Sequence, residues 1–184
     1  MRLPNLVRVT GGALLLALLS GCVPPGAATP PEPTVTFVAP YATDEEALAA
    51  AEEAYAEYTR VFEAILADGG HDAARLQQVA TGDFLDASIS DLDELAAKGG
   101  RGTGAVVNSK FELQRYSPAG GDLEVVTVYL CSDVSALVIK DSAGESLVAD
   151  GRPDMSTLQA TFDFDPQLQS LLVSDLDVWS AGKC

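Results

Sequence analysis

The sequence predicts an α+β domain in which N-terminal helices pack against a curved antiparallel sheet. Three observations predict it. Apolar residues recur every three or four positions over residues 44–97, the period changes to two from residue 103 onward, and the two patterns never alternate as βαβ units would require. The 184 residues are 47% hydrophobic and 21% charged, a composition that suits one compact domain with some flexible sequence and excludes collagen, coiled coils and full disorder. The formal charge of -16 repels phosphate backbones and anionic headgroups, so no nucleic-acid partner is expected.

In chain order the first element is a leader. Arg2 and Arg8 form a positive start, residues 9–19 are an apolar run, and Ser20-Gly21-Cys22 follows, the three-part layout of a secretory signal. The run is shorter than the roughly 20 apolar residues needed to span a bilayer. Its end, Leu19-Ser20-Gly21-Cys22, resembles the lipobox of bacterial lipoproteins: a branched apolar residue, two small residues, then cysteine. That resemblance implies a diacylglyceryl group on the Cys22 sulfur, cleavage between Gly21 and Cys22, and a chain held on the extracytoplasmic side of the cell membrane. More than one acyl chain on a single residue meets the requirement for stable anchoring, which one chain does not. The competing reading is a plain secretory signal with an incidental cysteine. Loss of residues 1–21 removes two arginines and no acid, leaving 9 basic against 27 acidic residues and a net charge of -18.

Residues 22–43 then form a lipidated cysteine and a tether. Six of the ten prolines lie here with almost no charge, and proline fixes φ, removes donors and extends its predecessor, so a semi-rigid spacer is expected. The weak alternation of residues 34–38 is read as the end of that spacer.

The domain itself is expected over residues 44–184. Thr43 with Glu46 three positions on forms a capping box, and Asp44 and Glu45 suit the positive end of the helix dipole. Leu48, Ala51, Tyr55, Tyr58, Phe62 and Ile65 make one apolar stripe that stops at Gly69-Gly70. Asp72 is placed to cap a short helical piece through Val79. A further helix opens at Gly82-Asp83, turns Leu85, Ile89, Leu92 and Ala96 inward, and ends at Gly99-Gly100. Strands are predicted at 110–116, 123–133, 136–140, 145–149, 155–164 and 168–179, with turn-rich sequence at 117–122 and a hairpin tip at 141–144.

This order of three helices followed by antiparallel strands resembles the NTF2-like (cystatin-like, SnoaL-like) cone found in exported lipoproteins of actinobacterial type. The stretches that carry the likeness are a Glu-Glu-Ala-x-x-Ala helix near residues 45–58, Thr81-Gly82, the run Val128-Tyr129-Leu130-Cys131-Ser132-Asp133, and the closing Val178-Trp179-Ser180 through to Cys184. It covers roughly residues 43–184 and implies a cone-shaped domain of helices packed against a curved antiparallel sheet. No motif of an NTF2-like enzyme has a match here from which catalytic residues could be carried over.

With Cys22 assigned to lipid, Cys131 and Cys184 remain. Outside the cytoplasm such a pair usually forms a disulfide, and a loop of this length would stabilise the fold by about 4 kcal/mol in the chain-entropy view. A free buried Cys131 or a redox pair are the alternatives, disfavoured because there is no CxxC spacing and no adjacent cation.

Few residues suggest chemistry. His71, the single histidine, follows two glycines in a loop, and no nucleophile elbow, phosphate loop or zinc spacing occurs. Asp141, Glu145, Asp163 with Asp165 and Asp175 with Asp177 offer oxygen ligands but no EF-hand pattern. Asp83, Asp86, Asp91, Asp93 and Glu94 read as the wet face of a helix, so no metal and no cofactor are expected. Asp133 shares a parity with Val125, Thr127, Tyr129 and Cys131, the set expected to point into the sheet's concavity. Desolvated beside Tyr129, its pKa would rise and general-base work would follow; the competing reading is an end-of-strand acid in water. The function expected is therefore a non-catalytic, lipid-anchored module binding a small ligand or an envelope protein. The alternative is a small SnoaL-like isomerase or hydrolase using Asp133 with Tyr129, and homodimerisation through the open sheet face is a further expectation.

Overall fold

The computed structural model describes residues 39–117 and 124–184, so the leader, Gly21, Cys22, most of the tether and the turn after Ser117 lie outside the described residues. Helix α1, Asp44–Ala67, runs 24 residues. Its start follows the expected box: Glu46 donates its backbone N–H to Thr43 Oγ1 at 3.2 Å, and Ala42 donates to Glu46 Oε2 at 2.9 Å. The buried stripe is Ala47, Ala51, Tyr55, Tyr58, Val61, Ile65 and Leu66, while Leu48 and Phe62 are only half-buried. Two alanines at the helix start let it lie close on the sheet.

A 3-10 turn, Ala73–Gln78, and helix α2, Gly82–Ala97, follow. Asp72 does not cap the turn as expected: it sits in the left-handed region at φ 57, whereas a capping side chain reaches the first turn from an extended backbone, and it makes no side-chain cap bond; its carbonyl accepts from the Arg75 backbone N–H and Nε. Gly70 joins the two helices at close range. At φ +79, a Cβ there would stand 2.3 Å from the Leu92 carbonyl oxygen, so only glycine lets the α1 exit pass against α2.

The strands are β1 Arg101–Thr103, β2 Val107–Tyr116, β3 Glu124–Asp133, β4 Val138–Lys140, β5 Met155–Asp165 and β6 Ser170–Ala181. Four of them form one antiparallel sheet in the order β2-β3-β5-β6, and β1 pairs with β4 in a separate two-stranded ribbon. The expected hairpin between 136–140 and 145–149 is corrected. Its tip exists, with Asp141 Oδ1 accepting from Ala143 and Glu145, but the second limb pairs through one bridge, Lys140 to Ser146. Strand β4 instead turns its ladder to β1, with Gly102 opposite Ile139.

All three ladders of the main sheet carry register shifts, and one of them falls at Lys110, whose φ is 54. Such bulges bend strands and increase twist. The bent face closes on the helices around Phe162, Ile65, Leu76, Leu130, Val126, Val128 and Val173, the largest fully buried side chains. Tyr55 sits at the centre, its ring edge-on to Phe111 at 6.0 Å and to Phe162 at 6.5 Å, a preferred aromatic geometry. The domain is thus α+β with antiparallel sheets.

Candidate functional site

Strand parity decides which residues each face of the sheet presents. Val126, Val128 and Leu130 belong to the core cluster with Tyr55 and Phe162. The alternate set, Thr127, Tyr129, Cys131 and Asp133, therefore points to the open face, and of the two readings of Asp133 the geometry fits the end-of-strand acid in water rather than the residue of a concave pocket. The alternation alone could not settle this, because both sets contain residues that bury well; Thr127 and Cys131 are buried too.

Asp133 ends its strand opposite Val107 and Met155. A hydrogen bond from the Ser135 hydroxyl, together with the Ser135 backbone N–H at 2.9 Å, holds its carboxyl below the usual carboxylate range. The desolvation that would make Asp133 a base is not what this position supplies. Tyr129 lies in the middle of the open face, half-buried, with its ring 5.1 Å from that of Trp179.

Cys131 and Cys184 form a disulfide, with Cα atoms 5.5 Å apart. It ties the residues just after β6 across to β3, two strands away in the sheet. Thr157 on the intervening strand adds a bond from its hydroxyl to the Lys183 carbonyl at 3.2 Å. The far end of β6 is therefore held at two points.

Strand β6 lies at one edge of the sheet, and its two halves differ. In the first half, Thr81 donates to the Val173 carbonyl at 2.9 Å and Val173 donates to the Val79 carbonyl at 3.0 Å, so the outer edge is covered by the segment before α2. Beyond it, no backbone partner lies along the outer edge of residues 175–180 among the described residues. This uncovered half carries the two most exposed large apolar side chains among the described residues, Val178 at 63% and Trp179 at 64%. Asp175 opposes Thr161 and Asp177 opposes Gln159, which puts both on the open face with Tyr129, and Trp179, at a bulge between Val178 and Ser180, reaches the same face through its ring contact with Tyr129. Gln159 in turn donates to Gln114 Oε1 at 2.8 Å. Sequence reasoning picked out Tyr129 and the Asp175 and Asp177 pair separately but did not join them with Trp179 into this edge.

Among the described residues, three grooves lie on the helical side. One of about 650 Å³ is lined by Tyr41, Glu53, Glu57, Arg60, Gln78 and Gln169, and inside it Arg60 forks onto Glu57 and lowers that carboxyl's pKa. An apolar one of about 350 Å³ lies between α1 and α2, lined by Phe62, Phe84, Leu92, Leu95 and Ile139, with Tyr58 at its wall. A third, of about 430 Å³, is bordered by Glu63 and Asn108; Val106 donates to Glu63 Oε1 and Asn108 Nδ2 donates to Thr59, while the buried Asn108 Oδ1 has no partner among the described residues. None of the three brings His71 or Asp133 to its wall. Among the described residues no group of three or more His, Cys, Asp or Glu side chains is placed to hold a metal ion, and no helix is long and apolar enough to cross a membrane.

The architecture and the edge define an α+β domain with a solvent-facing sheet. No protein-family model matches the chain, nor does any curated protein sequence. Among solved structures, the fold is similar to that of the intermembrane space region of the chloroplast protein ARC6. The TM-score is 0.53 at 12% identity, over 73% of this chain and 97% of that one. At that identity the likeness concerns the fold alone.

Proposed function

We propose that this chain is an exported lipoprotein, anchored through an acylated Cys22 on the extracytoplasmic face of the cell membrane, whose NTF2-like domain is a non-catalytic binding module. The observation that carries the binding reading is the filled interior. The face of the sheet turned to the helices is packed by Tyr55, Phe162, Val128, Leu130 and Ile65, where an enzyme of this shape would need a chamber with converging polar groups and a raised acid. The strand acid proposed for proton transfer, Asp133, has instead a lowered pKa. The anchor rests on the Leu19-Ser20-Gly21-Cys22 motif and the stable attachment that multiple acyl chains provide.

Intact-mass measurement of the protein extracted from its own membranes tests this. The expected mass lacks residues 1–21 and includes a diacylglyceryl group on Cys22, and Cys22→Ser should move the protein from the membrane to the soluble exported fraction. An unmodified thiol on protein recovered free in the culture fluid would overturn the anchor. Turnover abolished by Asp133→Asn with the fold intact would return the isomerase or hydrolase reading.

A further inference from the structure

We propose that the uncovered edge of β6, residues 175–180, takes up an extended basic segment of a partner protein as a fifth strand of the sheet. The inference rests on the binding-module reading and names its surface and the partner's chemistry. An edge strand presents a row of backbone donors and acceptors that another strand can pair with, and here only the half before residue 174 is covered.

Side chains set what such a segment must carry. On the open face the edge offers Asp175, Asp177 and the exposed ring of Trp179 at successive alternate positions, with Tyr129 beneath that ring. Lys or Arg at every second position of an incoming strand would meet two carboxylates and then an aromatic face, an ion-pair and cation–π sequence. On the other face Val178, 63% exposed, asks for an apolar neighbour. The matching chemistry is therefore an alternation of basic and apolar residues.

Charge also argues against a second copy of this chain. Pairing two β6 edges with their open faces on the same side would bring Asp175 and Asp177 of both copies together, and like charges across strands are destabilising. The net charge of -16 adds repulsion between copies and steers a cationic partner inward. The edge is also ready-made: the disulfide and the Thr157 bond hold its far end, so less ordering is needed on binding.

The test uses the full chain in detergent. The probe is a capped seven-residue peptide alternating Lys and Val, with a Glu and Val peptide as control. Trp179 is the single tryptophan, so its emission reports directly from the edge. Expected are a saturable emission change with the basic peptide, slowed hydrogen exchange of the backbone amides of residues 175–180, and at least tenfold weaker binding of the acidic peptide. The double variant Asp175→Lys, Asp177→Lys should reverse that preference. Equal binding of both peptides, binding without protection of those amides, or their protection by self-association at raised protein concentration would each overturn the proposal. None of these outcomes bears on the acyl group at Cys22, which the mass measurement decides separately.

Discussion

Tyr58 lies in the α1 stripe with its ring stacked on Phe62 at 5.9 Å and tilted against Phe84 at 5.7 Å. Burial pushes its phenol up to about 12, with a hydrogen bond to Ser88 offsetting part of the shift. Deeper burial drives Tyr55 upward as well. A phenol that keeps its proton in the folded state while the unfolded chain has lost it makes stability fall as pH rises. Urea unfolding should accordingly show stability unaffected by these groups below about pH 9 and declining from about pH 10 toward 12. Tyr58→Phe should reduce the steepness of that decline, and an unchanged slope would contradict the assigned burial. Both tyrosines were legible as core residues from their spacing. For Asp133 the sequence left two readings, because strand parity says which residues share a face but not which face meets the helices. That is decided by α1, whose stripe of Ala47, Ala51, Tyr55 and Tyr58 joins Val126, Val128 and Leu130 in one buried cluster.

At the level of elements, helix starts and the long strands followed from local rules. The Thr43 box, the Gly69-Gly70 stop, β3, β5 and β6 stand close to their expected bounds. What local rules could not supply was pairing. β1 and β4 are three residues each, too short for a period, and they meet across 35 or more residues because the β2–β3 ladder sets Val107 opposite Asp133, which leaves the segments on either side of that hairpin next to each other. Expected strand 110–116 also begins earlier, at Val107, since the positive φ of Lys110 is absorbed as a bulge instead of ending the strand. The disulfide acts at this scale. It clamps the end of β6 to β3, and in the chain-entropy model closing a loop of 53 residues contributes up to about 4 kcal/mol. Replacing both Cys131 and Cys184 by Ala should lower the free energy of unfolding by as much as that figure. It should also speed amide exchange at residues 175–181 more than in β3, since the far half of β6 has a neighbour on one side alone.

Over the whole molecule, the two bridged cysteines stand on either side of the longest exposed stretch among the described residues. Residues 142–147 are all exposed, with small and polar side chains around Gly144, the kind of tip that proteases cut first. The covalent link runs from Cys131 before that tip to Cys184 after it. A single clip there would leave both pieces joined, with β2 and β3 on one fragment still hydrogen-bonded to β5 and β6 on the other. Brief digestion should yield one band of unchanged size on a gel run without thiol and two bands when reductant is added. The domain would go on holding its shape, and its outer edge, after being cut in two.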